Sequence, residues 1–185
     1  MEKGVFERGG KAAARNIEVR ALVIDKDGRT VENCIFDCAS EASAGATYSQ
    51  GPVLYHNNSP VWAETLRLQV PIDKFYNAHV RLEYRHCSAK DKGDKKLLGF
   101  SFVFLMEADE TTVKDGDHVL CLYKCEDVHK IESSAAYVNL PSKVSQVAAA
   151  DSISLSQGFV RSSKESVTVK TKLCSTKLTQ NGNQI

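Results

Sequence analysis

The chain has 185 residues, which suits one domain with a substantial buried core. Its 24 lysines and arginines against 23 aspartates and glutamates leave a net charge of +1, which excludes a polybasic nucleic-acid binder, so any anion site must come from local clustering. The six cysteines fit no metal-ligand spacing, and neither a signal peptide nor a membrane span is evident, so we expect a cytosolic protein with reduced, mostly buried thiols.

The N-terminal third predicts a basic loop followed by short strands. Residues 1–15 are basic, and a glycine pair favours a loop there over a helical turn. Apolar and polar residues alternate over residues 16–24, which is the two-residue period of a half-buried strand. We then expect a weaker strand at residues 30–36, a loop at 40–50 and a strand at 53–56.

Three strongly alternating segments predict the sheet itself. They lie at residues 62–70, 79–86 and 97–106. Residues 119–123 alternate in the same way. Strands of this kind, separated by proline and polar loops, describe an all-β fold, an antiparallel β-sandwich. The long loops of such a sandwich are the natural place for function.

The C-terminal third is less regular. A short strand is expected at residues 137–140, ended by Pro141. Residues 142–163 are rich in Ser, Ala and Gln, so little burial would offset their ordering entropy, and we predict a mobile loop. The predicted organisation is a basic loop at 1–15, a sandwich core at 16–141, a mobile loop at 142–163, a final strand at 164–174 and a tail at 175–185 leading toward another region of a parent protein.

The most informative polar feature is the lysine-rich segment at residues 90–96, between two of the strong strands. Its four lysines and two aspartates give a local net charge of +2. This is either a solubilising hairpin loop or part of an anion site shared with the basic N-terminal loop, if the two segments meet. Each basic side chain near an anionic membrane surface is worth about 1 kcal/mol, so several together could hold a multiply phosphorylated head group. The candidate head-group residues are Arg8, Lys11, Arg15, Arg85, Lys90, Lys92, Lys95 and Lys96.

Calcium binding is the main alternative, because sandwiches with long loops often bind Ca²⁺ through clustered carboxylates. Asp25 and Asp27 are close in sequence, but their spacing does not fit the EF-hand loop. Asp91 and Asp94 stand among lysines that would oppose a divalent cation. We therefore predict no metal site.

An enzymatic function has the least support. The five histidines are scattered, and there is no nucleophile elbow, glycine-rich phosphate loop or paired-carboxylate signature. His86 falls in phase with the apolar face of its strand, so we expect a structural role for it. The lone Trp62 is expected in the core. We predict no catalytic residues and no cofactor.

Specific short motifs occur along nearly the whole chain. They are FERGGK at residues 6–11, RNIEV at 15–19, VLYHNNSPVW at 53–62, RHCS at 85–88, DKG at 91–93, KKL at 95–97, GF at 99–100, DG at 115–116, YKC at 123–125 and CSTKLTQN at 174–181. In these motifs the chain resembles the lipid-binding, C2-like first homology region of the DOCK (dedicator of cytokinesis) family. The sequences of its loop and tail motifs are most similar to the branch of the family that contains the third and fourth vertebrate paralogues.

The resemblance implies a C2-like antiparallel sandwich with a head-group pocket at its upper loops. It implies binding of phosphatidylinositol 3,4,5-trisphosphate without calcium, and a parent exchange factor for Rac-type or Rap-type small GTPases whose exchange activity resides in a separate domain. The expected partners are a phosphoinositide membrane surface, other domains of the parent protein and adaptor proteins, with the GTPase involved only indirectly. The expected location is cytoplasmic, with peripheral recruitment to the plasma membrane. A protein-interaction sandwich docking on a scaffold or on another domain of the same exchange factor is the alternative.

Two departures from the family's pattern weaken these expectations, and a third difference keeps the charge. Cys87 stands where other branches carry a further arginine, which weakens the case for trisphosphate selectivity. The family's domain also has a hydrophobic strand before the position of Glu2, and without it we expect an unpaired edge or groove. Arginine at Arg8 and Arg15, where some members have lysine, keeps the charge but changes how phosphate is held.

Overall fold

A computed structural model of the protein describes residues 3–6, 15–39, 44–87, 95–125, 128–147 and 158–180. Its strands are β1 Lys3–Val5, β2 Ile17–Ile24, β3 Ile35–Asp37, β4 Tyr48–Gln50, β5 Leu66–Leu68, β6 His79–Cys87, β7 Lys95–Phe104, β8 Gly116–Cys125 and β9 Phe159–Thr171. A single α-helical turn, α1 Ile72–Phe75, and three short 3₁₀ helices, Val128–Ile131, Ser134–Ala136 and Val144–Gln146, complete the described elements. The predicted all-β class is confirmed.

The strands form a curled antiparallel sheet. Seven of them pair in the order β1-β9-β8-β7-β6-β2-β4, and β3 pairs with β5 separately. The backbone also continues past β1, because Gly4 N–H donates to Pro60 O at 2.9 Å and Phe6 N–H to Asn58 O at 2.8 Å. β1 therefore has backbone partners on both sides, and the sheet bends toward closure as a sandwich does.

Alternation along the strands buries side chains on both faces of the sheet, and the described residues form three hydrophobic clusters, the third around Val23 and Ile35. Ile17 and Tyr84 belong to the first core, where Trp62 is buried as predicted. The second core is aromatic: Phe100 and Phe102 pack with Tyr137, their ring centroids 5.0 and 5.2 Å from the tyrosine ring. Residues 128–140 cover this face.

Antiparallel pairing brings five strand termini together at one end of the sheet. Cys87 at the end of β6 faces Lys95 at the start of β7, and Ile17 at the start of β2 faces His86. Cys125 at the end of β8 faces the first residue of β9. We call this the β6–β7 end. The opposite end, where β6 begins and β7 finishes, is the far end.

Several short elements differ from the sequence-based prediction. The expected strand at 53–56 is wrong except at Leu54, which exchanges two backbone hydrogen bonds with Ile17 before the chain turns. The expected strand at 137–140 is a turn, and Tyr137 is buried by the aromatic core rather than by strand pairing.

Other strands appear where loops were expected. β1 lies in the predicted basic loop, and β4 lies in the predicted loop at 40–50. The predicted strand at 62–70 is reduced to the three residues of β5. β9 begins at Phe159, before the predicted start at residue 164. Short strands are paired by residues distant in sequence, so local periodicity carries little trace of them.

Candidate functional site

Half of the predicted head-group residues can be located. Arg8, Lys11, Lys90 and Lys92 lie outside the described residues. The other four, Arg15, Arg85, Lys95 and Lys96, all lie at the β6–β7 end.

Asn16 joins the two halves of this end. Its side-chain amide donates to Cys87 O at 3.0 Å, and Cys87 N–H donates to Asn16 O at 2.9 Å. The N–H of Asn16 also donates to Nδ1 of His86 at 3.3 Å, so His86 has the structural role that was predicted. The described residues that flank 7–14 and 88–94 are therefore neighbours. The sequence showed no signal for Asn16, because a buried asparagine is recognisable only once its partners are known.

Lys95 and Arg85 are held by two buried carboxylates. Lys95 Nζ lies 2.6 Å from Glu18 Oε2, and Arg85 Nη2 lies 2.8 Å from Glu83 Oε2. Both glutamate side chains are under 5% exposed. The hydrogen bond to Glu18 raises the pKa of Lys95. These ion pairs fix the positions of the two cations and offset part of their charge.

Arg15 belongs to a different ion cluster. Its Nη1 lies 3.6 Å from Glu165 Oε1, while Lys124 Nζ lies 2.6 Å from Glu165 Oε2. The structure thus brings Arg85 close to Lys95 through cross-strand neighbours, and pairs Arg15 with a lysine that sequence analysis did not select. In the sequence, Lys124 is one polar residue of an alternating strand. Only its ion pair with Glu165 distinguishes it from other surface lysines.

A hydrogen-bonded turn next to Arg15 carries an exposed aromatic side chain. Arg15 N–H donates to Asn58 Oδ1 at 3.2 Å, and Asn57 N–H donates to Arg15 O at 3.1 Å. Tyr55, in the same turn, is 64% exposed. Aromatic side chains with a polar tip are favoured at membrane–water interfaces.

Cys87 carries no extra positive charge in this arrangement, and its thiol is not activated. Burial, with a further contribution from Glu18, raises the pKa of the Cys87 thiol. Of the six cysteines, Cys34, Cys121 and Cys125 are buried, whereas Cys38 and Cys174 are exposed. The expectation of mostly buried thiols therefore holds for only half of them.

Asp25, one of the two aspartates considered for calcium, uses its side chain to stabilise the turn that it begins. Asp25 Oδ1 accepts from the N–H groups of Asp27 at 3.0 Å and Arg29 at 2.9 Å. Within the described ranges, no group of three or more His, Cys, Asp or Glu side chains is placed to hold a metal ion. Asp91 and Asp94 lie outside those ranges.

A cavity of about 440 Å³ lies at the far end. Its charged lining residues are Asp25, Asp27, Glu132 and Lys26, which leaves an excess of negative charge beside the buried His79. An acidic lining of this kind repels phosphate. Anion binding is therefore better supported at the β6–β7 end.

Comparison with known proteins gives consistent relatives. A family model described as the C2 domain in Dock180 and Zizimin proteins matches residues 1–183. Human dedicator of cytokinesis protein 4 is 44% identical over 185 residues, which cover 100% of this chain and 9% of that protein. Human dedicator of cytokinesis protein 3 is 46% identical over 181 residues, covering 98% of this chain and 9% of that protein. The described part of the chain contains no helix with the length and apolarity of a membrane span.

Proposed function

The chain belongs to the family of C2 domains in Dock180 and Zizimin proteins, and on that basis we propose that it is a membrane-targeting module that binds a phosphoinositide head group. The preferred ligand in this proposal is phosphatidylinositol 3,4,5-trisphosphate. The family resemblance stated from the motifs is confirmed. The observation that supports the lipid proposal is that cationic side chains from distant segments lie at the β6–β7 end, in two separate groups of ion pairs.

Three buried glutamates support this arrangement. Glu18, Glu83 and Glu165 hold cations that reach the surface at one end of the sheet. A side chain fixed by such a pair loses less rotamer freedom when a ligand arrives than a freely moving lysine would. The guanidinium groups of Arg15 and Arg85 can each hold phosphate oxygens by paired N–H donors, whereas lysines act as point charges.

The parent protein is inferred to be a guanine nucleotide exchange factor for Rac-type or Rap-type small GTPases. The chain spans 9% of each relative's length. In this proposal the exchange activity resides in a separate domain of the parent protein. In this proposal the domain is cytoplasmic and is recruited peripherally to the plasma membrane. It acts on the GTPase only indirectly, by bringing the parent protein and its adaptors to the lipid surface.

Vesicle co-sedimentation tests the lipid proposal. We expect binding to phosphatidylcholine vesicles that contain the trisphosphate lipid and little binding to phosphatidylcholine alone. Lys96→Glu should lower this binding, because Lys96 is exposed at the β6–β7 end. The matched control is Lys170→Glu, an exposed lysine near the far end of β9. Equal binding to both kinds of vesicle would contradict the proposal.

A protein-docking function is favoured by one separate observation. Val5, Val61 and Val119 are exposed large hydrophobic residues. Cross-strand pairing puts Val61 beside Lys3, Lys3 beside Thr168 and Thr168 beside Val119, so Val61 and Val119 lie in one row across the sheet with Lys3 and Thr168 between them. Exposed valines along one row of a sheet suit an apolar protein contact. Val61→Ser would then weaken binding to the purified remainder of the parent protein and leave vesicle binding unchanged. Unchanged affinity for that remainder would contradict docking at this surface.

A further inference from the structure

We propose that Lys124 contacts a phosphate group of the ligand, and that Glu165 is a positioning residue that holds Lys124 beside Arg15 for this contact. The inference deepens the proposed function and rests on it. The ligand class is a phosphomonoester carried on an inositol ring, either as a lipid head group or as a soluble inositol phosphate.

A single carboxylate organises two cations from opposite parts of the chain. One oxygen of Glu165 lies 2.6 Å from Lys124 Nζ, and the other lies 3.6 Å from Arg15 Nη1. Among these three side chains, two positive groups share one negative group, so their summed charge is positive. Because like charges in a partly buried site repel, an arriving phosphate would relieve that repulsion.

The three side chains of this cluster differ in how far they are exposed to solvent. The Glu165 side chain is 0% exposed, whereas the side chains of Arg15 and Lys124 are 19% and 40% exposed. A ligand approaching from solvent therefore meets the two cations, and the carboxylate lies behind them. This is the order of charges that an anion site requires.

Glu165 lies in a β-bulge between β8 and β9. The pairing register shifts between Cys121, which faces Ser166, and Tyr123, which faces Arg161. Residues 162–165 of β9 lie opposite the single β8 residue Leu122, and within them Glu165 N–H donates to Ser162 Oγ at 3.2 Å. Bulges re-aim side chains next to functional sites, and here the bulge lies beside the N-terminal segment that carries Arg15.

The direct test measures binding of inositol 1,3,4,5-tetrakisphosphate, the soluble head group, by calorimetry. We expect Lys124→Gln to weaken binding about tenfold, the usual loss for a charge-assisted hydrogen bond. Lys124→Arg should retain most of the affinity, because it keeps the charge and the Glu165 contact. Lys170→Gln, at the far end, is the matched control and should bind as the wild-type chain does. Unchanged affinity of Lys124→Gln, or equal weakening by Lys170→Gln, would overturn the assignment.

The positioning role of Glu165 is tested by a double-mutant cycle. Lys124→Gln should cost less affinity in the Glu165→Gln background than in the wild-type background, because Lys124 is no longer held there. Additive effects would contradict the role. Because a variant could fail to fold, an NMR titration of the wild-type chain provides a test that needs no substitution. Adding the tetrakisphosphate should shift the backbone amide NMR signals of Lys124 and Glu165, and unmoved signals would overturn the site.

Vesicle binding separates this inference from the proposed function. A wild-type chain that binds the trisphosphate vesicles while Lys124→Gln binds them equally well would refute only the Lys124 site. Absence of wild-type binding to both the soluble head group and the vesicles would refute the function and the site together. Lys124-dependent binding of the soluble head group without vesicle binding would support the phosphate site and overturn the membrane role.

Discussion

Acidification should destabilise the fold through His79, which is buried at the start of β6. Its Nε2 lies 2.8 Å from the Tyr137 hydroxyl, and the rings of Phe102 and Phe104 flank it. Burial first, and the positive charge of Arg81 second, lower the pKa of His79 from 6.5 to about 4, although Asp25 opposes this shift. The folded protein therefore keeps this imidazole neutral at a pH where the unfolded chain protonates it.

The direction and size of the effect follow from that difference. Because the unfolded state binds the extra proton between the two pKa values, stability is complete above the unfolded pKa of 6.5 and falls as the pH drops toward about 4. For a single site with these two pKa values, the loss of unfolding free energy from about pH 7 to about pH 5 is roughly 2 kcal/mol. That loss is a large share of the unfolding free energy of a typical domain, which is about 5–15 kcal/mol.

Urea denaturation at the two pH values measures this loss. The His79→Asn variant, which cannot titrate, separates the histidine from the carboxylates that also begin to protonate at acidic pH. We expect the wild-type unfolding free energy to fall by roughly 2 kcal/mol more than that of the variant. An equal fall in both proteins would refute the argument, because it would mean that the imidazole titrates alike in the folded and unfolded chains.

Three further outcomes are expected. Binding to phosphoinositide vesicles should weaken steadily as sodium chloride is raised, since exposed charge interactions are screened, and a salt-independent affinity would argue against an electrostatic site. Tyr55→Ala should lower vesicle binding, whereas Tyr76→Ala, half-exposed at the far end, should not, and co-sedimentation of the two variants compares them directly. Gly99→Ala should destabilise the fold by roughly 1–3 kcal/mol in urea denaturation, because the added methyl carbon would lie 2.6 Å from the Tyr123 carbonyl oxygen, and an unchanged midpoint would contradict this close strand contact.

The buried glutamates change the meaning of the basic residues at the β6–β7 end. From composition, Arg15, Arg85 and Lys95 were equivalent positive charges. In the structure each has a carboxylate partner, so each is a fixed donor with part of its charge offset. Selectivity among phosphoinositides would then come from the geometry of these donors, because the net charge is modest.

Sequence reasoning was reliable where a strand is long and one face is buried. The alternation that predicted β6, β7 and β8 arises because successive side chains face opposite sides of the sheet, which is a local property of the chain. It failed for β1 and β4, which have three residues each. Their partners lie far away in the sequence, so no local pattern marks them.

The amino-acid sequence by itself determined the family, the all-β class, the long strands and the two basic segments, because motifs and side-chain periodicity are written in neighbouring residues. Only the tertiary structure decided that Asn16 joins the flanks of those segments and that Glu165 pairs Lys124 with Arg15. Those relations depend on strand register and on one bulge, and both are settled by backbone pairing between distant residues as the sheet closes.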